Sequence, residues 1–273
     1  MACGYATKAI LIILSLFFIF ELFVPEIIYF FCLRPTAIVH RLQIWRIFTN
    51  CLLHANIPHI LANGLVLYRL GTTLEQSIFG SLQFFMINIL FIINCSIIHL
   101  LMAYCMPFLG FSGWNSCSIG YSGVIFAFLT VHCHLSAVPN SLFGFKIPQK
   151  IYPWILILIT QIIIPQASLF GHISGVLTAY LFLFDLTSWL LFTPATLQKI
   201  ESSSNRFVGI VVNSEGYTLN PYLGQPIAPS SIQPPSFITN TLNSVKSILP
   251  TSSSNVATDT TSSAPVAQVN ISF

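Results

Sequence analysis

The chain has 273 residues, of which 55% are apolar and only 6% are charged, with a formal net charge of +3. An ordinary soluble domain carries about 25% charge, so this composition, with a mean hydropathy of +0.81, excludes a soluble fold and predicts an all-α polytopic membrane protein surrounded by lipid. The few positive charges are spread along the chain with no basic block that could track phosphates, which argues against nucleic acid as a partner.

Crossing a hydrocarbon core of about 30 Å takes roughly 20 helical residues at about 1.5 Å each. Six apolar runs are candidates, at 9–31, 57–74, 82–105, 119–134, 151–165 and 169–191. The fifth is short but flanked by further apolar residues, and the second, fourth and sixth each carry polar residues near their start. The first follows a single Lys8 and is too long for a secretory signal, without a small-residue cleavage site, so it is expected to be a retained anchor. Lys8, Arg69, Lys146, Lys150 and Lys199 flank one side of this six-span arrangement, whereas Arg34, Arg41 and Arg46 fall in the first loop opposite. That bias favours both termini in the cytosol. Of the seven cysteines, Cys32, Cys51, Cys105 and Cys117 are expected near the non-cytosolic side, where a disulfide is possible, but the spacing assigns no pair.

From about Thr196 the composition turns to Ser, Thr, Pro and Asn. Such a stretch has too little apolar surface to offset its ordering entropy. Residues 1–198 are therefore expected to form the membrane domain and 199–273 a disordered cytosolic tail. The tail could recruit a cytosolic partner, although it carries no recognisable motif for one.

If the first span leaves the cytosol, spans two, four and six all begin at the opposite leaflet. Their starts carry His59 and Asn63, Ser122, and His172. Polar and ionisable groups inside a membrane are costly and mark functional sites by default. The stretch GFSGWNSCSIGYSG contains Gly-x-Ser-Gly twice, around Ser112 and Ser122. Ser122 is followed at once by an apolar helical run, which puts its hydroxyl at the top of a helix, whereas Ser112 is followed by a polar loop. Ser122 is thus the candidate nucleophile. Gly123 with Ala127, and Gly175 with Ala179, are small-residue pairs four apart that allow spans four and six to approach closely. Taken singly, these glycines read as helix packing, and His59 with Asn63 as polar residues holding helices together.

The combination resembles the rhomboid family of intramembrane serine proteases over about residues 45–179. Trp45 and Arg46 match the family's first-loop pair. His54, His59 and Asn63 match its His-x(4)-His-x(3)-Asn pattern, Gly120 to Gly123 the nucleophile motif, and His172 with Gly175 the His-x-x-Gly motif; Leu70, Gly71 and Glu75 also fit the pattern that closes span two. The resemblance implies a six-helix bundle with a Ser122–His172 dyad, an oxyanion hole built from His59, Asn63 and the Ser122 N–H, and transmembrane proteins as substrates.

That assignment agrees with the chemistry. A serine hydroxyl is a weak nucleophile until a base within hydrogen-bond reach takes its proton. A third, carboxylate member is not expected, because Asp185 lies about 20 Å along the helix from His172 and Glu75 is on the other side; Glu21 and Glu26 stay open. His54 is expected to anchor a loop, His99 to be a satisfied core histidine, and Phe126 to lie against the base. His132, Cys133 and His134 point in different directions along a helix, so no metal or cofactor is expected. Two departures from the family pattern are Gly171, where alanine is frequent, and Ala179, in place of a second glycine. The alternative is a catalytically silent rhomboid-like protein that binds membrane clients for trafficking or degradation; a transporter fits less well, since no duplicated halves or midplane charges offer an ion path. The family likeness is greatest to the fungal secretory-pathway form, which implies a Golgi or neighbouring membrane.

Overall fold

The computed structural model describes residues 2–105, 113–136, 140–142 and 144–220. Ser112, one of the two serines of the doubled motif, lies outside the described residues.

Helix α1 (Tyr5–Phe23) is followed by a short α2 (Ile27–Phe31). The expected first span of 9–31 is therefore two helices. Pro25 has no N–H to donate and disfavours helical geometry at Val24; the Val24 N–H still reaches the Phe20 carbonyl, and the helix stops there. The first loop then holds α3 (Pro35–Arg41) and α4 (Arg46–Thr49), with one 3₁₀ turn at Asn50–Leu52. After a bend of 97°, α5 (Ile57–Leu74) continues as one π-helical turn, Glu75–Phe79, to Gly80. Next come α6 (Ser81–Cys105), α7 (Ser122–Leu135), a small hairpin of β1 (Asn140–Leu142) and β2 (Phe145–Ile147), α8 (Tyr152–Ile163) and α9 (Leu169–Leu183).

Every expected apolar run thus contains a helix, but their lengths differ from expectation. Among the described residues α1 and α6 are long and apolar enough to cross a membrane, and the bent pair of α4 and α5 makes a third if taken as one span. Helices α7, α8 and α9 have only 14, 12 and 15 residues. The expected sixth span ends at Leu183 rather than 191, where the chain breaks into Phe184 and then Asp185 at φ 64°.

The core lies where α6, α7 and α9 meet. Phe84 stacks on Phe128 at 4.8 Å, Phe128 lies 4.9 Å from Phe91, and Phe91 meets Phe182 edge-on at 5.3 Å. Rings in offset or edge-on contact add stabilisation beyond the area they bury, and this chain of rings fixes the three helices that flank the site.

At the other end of the bundle, Glu75 is fully buried and ties α5 to α1. Its carboxylate accepts from the N–H groups of Ala6 and Thr7 at 2.8 and 2.9 Å, from the Thr7 hydroxyl at 2.7 Å and from the Ser81 hydroxyl at 2.6 Å. The Ala6 and Thr7 N–H groups are free donors of the first turn of α1, whose own N-cap residue, Gly4, offers no side chain, and a carboxylate is favourable at that positive helix end. Gly4 is needed there, because a Cβ would lie 2.2 Å from a Glu75 oxygen.

The described chain goes on packing past residue 199, near which the composition changes. Helices α10 (Pro194–Glu201) and α11 (Arg206–Val212) follow, and the chain then returns to the bundle as far as Asn220. The Ser81 N–H donates to the Thr218 carbonyl and the Thr218 N–H to the Ser81 hydroxyl, at 2.8 and 2.9 Å. The Tyr217 hydroxyl donates to Glu201 at 2.8 Å, and a Cβ on Gly80 would lie 2.7 Å from the Asn220 backbone. The backbone of Thr218 and the Tyr217 hydroxyl, rather than an apolar run, make these contacts. Burial holds the Glu201 carboxyl above its ordinary range, opposed by its bonds to Tyr217 and Asn220. Ending the chain after Lys199 should consequently lower the melting temperature in detergent by roughly 5–10 °C through the loss of these bonds. Ending it after Asn220 should leave the melting temperature unchanged. Equal melting of both truncations would show that 200–220 adds no stability.

Candidate active site

The site is built where α7 and α9 cross. Gly123 and Gly175 face each other there, and the approach is closer than any side chain would allow: a Cβ on Gly175 would sit 2.1 Å from the Gly123 carbonyl oxygen, and one on Gly123 would sit 2.9 Å from that of Gly171. Ala179, one turn further along, is fully buried, so the added methyl is accommodated. The crossing brings Ser122, the first residue of α7, against His172 in the first turn of α9, and His172 Nε2 lies 2.9 Å from Ser122 Oγ. Ser168 caps α9 by accepting from the Gly171 N–H at 3.1 Å, which orients the turn that carries the histidine.

The Phe126 ring packs against the His172 imidazole, centroid to centroid 4.6 Å, where the sequence places it. Among the described residues Nδ1 of His172 has no hydrogen-bond partner. The two carboxylates left open are elsewhere: Glu21 accepts from the His54 N–H at 3.0 Å and Glu26 is exposed at the start of α2. A serine and a histidine thus stand as a pair, in which the imidazole can take the hydroxyl proton.

Helix α5 supplies the facing groups. Asn56 caps α5 by accepting from the His59 N–H at 2.9 Å, so the helix starts where His59 and, one turn on, Asn63 lie on one face. Asn63 is buried, and its Nδ2 has no partner among the described residues. A buried amide donor without an acceptor is costly, and it is available to an oxygen that enters the site. The Ser122 N–H opens α7 and is one of the helix's orphan donors. The His59 ring and the Ser122 hydroxyl flank Gly120: a Cβ there would lie 2.8 Å from His59 Cε1 and 3.8 Å from Ser122 Oγ. His54, expected only to anchor a loop, does so through its N–H and also sets its ring edge-on to His59 at 5.1 Å.

The loop before Ser122 is held by contacts that spacing alone leaves open. A disulfide joins Cys32 to Cys117. Next to it Leu33 and Ser118 exchange both backbone hydrogen bonds, at 2.9 and 3.0 Å. Gly120 takes φ 118°, a region that favours glycine, and donates to the Asn50 carbonyl at 3.0 Å. Tyr121 is buried, with its hydroxyl accepting from Asn88 Nδ2 at 2.5 Å. The first-loop pair serves the same frame: Arg46 donates to the Cys32 carbonyl at 2.8 Å and to Gln43, and Trp45 donates to the Phe30 carbonyl. His99 is buried with Nε2 3.3 Å from the Ser118 hydroxyl, as a satisfied core histidine should be. His134 Nδ1 meets the Thr130 carbonyl at 3.0 Å, and among the described residues no group of three potential ligands could hold a metal.

The closeness of the crossing gives a direct test. Gly175→Ala should push α9 from α7 and lengthen the Ser122–His172 contact, and misplacement of about 1 Å costs roughly 100-fold. Reaction with a fluorophosphonate probe should slow by that order in protein that still inserts and melts cooperatively. Labelling at the wild-type rate would show that the pair does not depend on this contact.

The model of the Rhomboid domain matches residues 41–189, a stretch that contains every residue of the site. Among curated proteins, the chain is 30% identical over 210 residues to Rhomboid-like protein 15 of Arabidopsis thaliana, covering 74% of this chain and 52% of that protein. It is 29% identical to Rhomboid-like protein 14, mitochondrial, of the same plant, over 55% of this chain and 46% of the relative, and 25% identical to human Rhomboid-related protein 4, over 63% and 52%. The chain matches about half the length of these relatives.

Proposed function

Because the chain belongs to the rhomboid family, we propose that it is an intramembrane serine endopeptidase that cleaves transmembrane protein substrates. The observation that carries this reading is the 2.9 Å contact between Ser122 Oγ and His172 Nε2, made by residues 50 positions apart on two crossing helices. Ser122 attacks the scissile carbonyl as His172 takes its proton. The tetrahedral oxyanion is met by the Ser122 N–H, Asn63 Nδ2 and His59. Collapse breaks the peptide C–N bond, and His172 protonates the departing amine. Water, deprotonated by the same imidazole, then hydrolyses the acyl-serine and restores the hydroxyl.

The short helices support a six-span protease. At 14 residues α7 covers about 21 Å of a core of about 30 Å, so with its C-terminal end at one surface its first residue lies about 9 Å inside the other. A scissile bond within a membrane is reachable from that depth. The Cys32–Cys117 disulfide lies on the Ser122 side of the bundle, and disulfides persist in oxidising compartments. This supports cytosolic termini, a site facing the lumen, and residence in a secretory-pathway membrane, the Golgi included. The residues beyond Asn220 then form a cytosolic tail available to a soluble partner.

The test is reconstitution of the full chain in liposomes with a labelled single-span reporter. Release of two fragments is expected. Absence of cleavage in folded protein that also fails to react with a fluorophosphonate would favour a silent, client-binding member of the family.

A further inference from the structure

We propose that the segment after α9 is a collar lying in the surface of the bilayer at which α1 begins, with Trp189 and the Phe207, Ile210 and Val211 stripe inserted at the headgroup level and Lys199 and Arg206 facing anionic lipid. The inference rests on the integral-membrane nature of the chain and not on the protease reading.

Beyond Leu183 the chain touches the bundle at buried positions such as Leu191 and Leu197, yet the residues around them do not all turn inward or become polar. Trp189 is 76% exposed, and no residue of α11 is buried, with Phe207 at 79% and Ile210 at 59%. Phe207, Ile210 and Val211 are spaced i, i+3, i+4, so they form one stripe on the helix. An exposed apolar stripe in water is unfavourable, and something must cover it.

The location of the stripe identifies the cover. Both flanks of α11 are pinned to the bundle. On the N-terminal side Leu197 of α10 is fully buried and Glu201 accepts from the Tyr217 hydroxyl. On the C-terminal side the Gly216 carbonyl accepts from the Tyr5 N–H at 3.0 Å and the Glu215 carbonyl from Lys8 Nζ at 3.4 Å. Tyr5 is the first residue of an apolar helix long enough to span, so it marks the entry into the membrane. Val212 is four residues from Gly216, which keeps the end of α11 within about 14 Å of that entry point. A short helix held at this level, apolar along one stripe and flanked by exposed cations at Lys199 and Arg206, has the character of an interfacial element. Tryptophan prefers the same zone because its ring is apolar and its N–H polar.

The full chain, carrying trifluoromethyl-phenylalanine in place of Phe207, would be placed in nanodiscs of phosphatidylcholine and phosphatidylserine and observed by fluorine NMR. A lipid with a nitroxide high on its acyl chain should broaden the resonance at least about three times as much as an aqueous gadolinium chelate does. The opposite order would overturn the proposal by placing α11 in water. Protection from both reagents would also overturn it, by showing that protein, a second copy included, covers the stripe. Lys199→Gln with Arg206→Gln should reduce the lipid effect, as should discs of phosphatidylcholine alone; no change in either would remove anionic lipid from the proposal. Fluorophosphonate labelling of the same samples reports on Ser122 separately, so failure of the collar and failure of the protease reading give different results.

Discussion

Ser122→Ala is expected to abolish cleavage of a transmembrane reporter and all fluorophosphonate labelling, while the protein inserts and melts as the wild type does. In serine proteases, removing the nucleophile or its histidine costs about 10⁶ in kcat, and removing both costs no more than removing one, because the two act as a unit. His172→Ala should therefore match Ser122→Ala in the cleavage assay but differ with the probe: its hydroxyl is present but unactivated, so labelling should be slow rather than absent. The double variant should be no worse than either single one. Ser112→Ala should remain fully active, since a polar loop rather than a helix follows that serine. Cleavage by Ser122→Ala at the wild-type rate would sink the nucleophile assignment, and equal labelling of His172→Ala and wild type would mean that another group takes the proton.

The residues that meet in the candidate site are legible in the sequence because each carries a local signal. A serine opening an apolar run, a histidine opening another, and a histidine and asparagine four apart on a third each stand out against lipid, where polar groups are rare. The Gly123 and Gly175 crossing was readable for the same reason, since small residues four apart license close approach. What stayed hidden depends on contacts between distant residues. Cys32 could have paired with several partners until the first loop was laid against the segment before Ser122. Pro25 was visible inside the first apolar run, but continuous hydrophobicity masked the break it causes between α1 and α2. The packing of residues 215–220 is not legible in composition, because Thr218 meets Ser81 through its own backbone N–H and carbonyl, groups that almost every residue carries. Glu75 was recognised as part of a motif, but its capping of α1 requires knowing that Gly4, Ala6 and Thr7 lie beside it. Composition reports which surface is apolar, and it is silent on which amide meets which carboxylate.

Asn63→Ala is expected to reduce kcat by roughly 10²–10³ with little change in KM, the cost of one preorganised donor to an oxyanion. Asn63 Nδ2 is buried and without an acceptor among the described residues. If the amide served only to hold helices together it would be bonded in the resting protein, and its loss would appear as lower stability. If it waits for charge that develops on the substrate oxygen, the resting protein loses little by its removal and the transition state loses much. Asn63→Ala should accordingly melt at or above the wild-type temperature while turning over slowly. His59→Ala should also lower kcat, although the His59 ring packs edge-on against His54 at 5.1 Å, so some loss of stability should accompany it. The double variant should be slower than either single one without the two losses simply adding, because the Ser122 N–H and whichever side chain is left still meet the same oxygen. Melting temperature and turnover measured on the same preparations separate the accounts: unchanged activity per folded molecule in Asn63→Ala, His59→Ala and the double variant would assign span two to packing and leave the Ser122 N–H as the sole donor from this set.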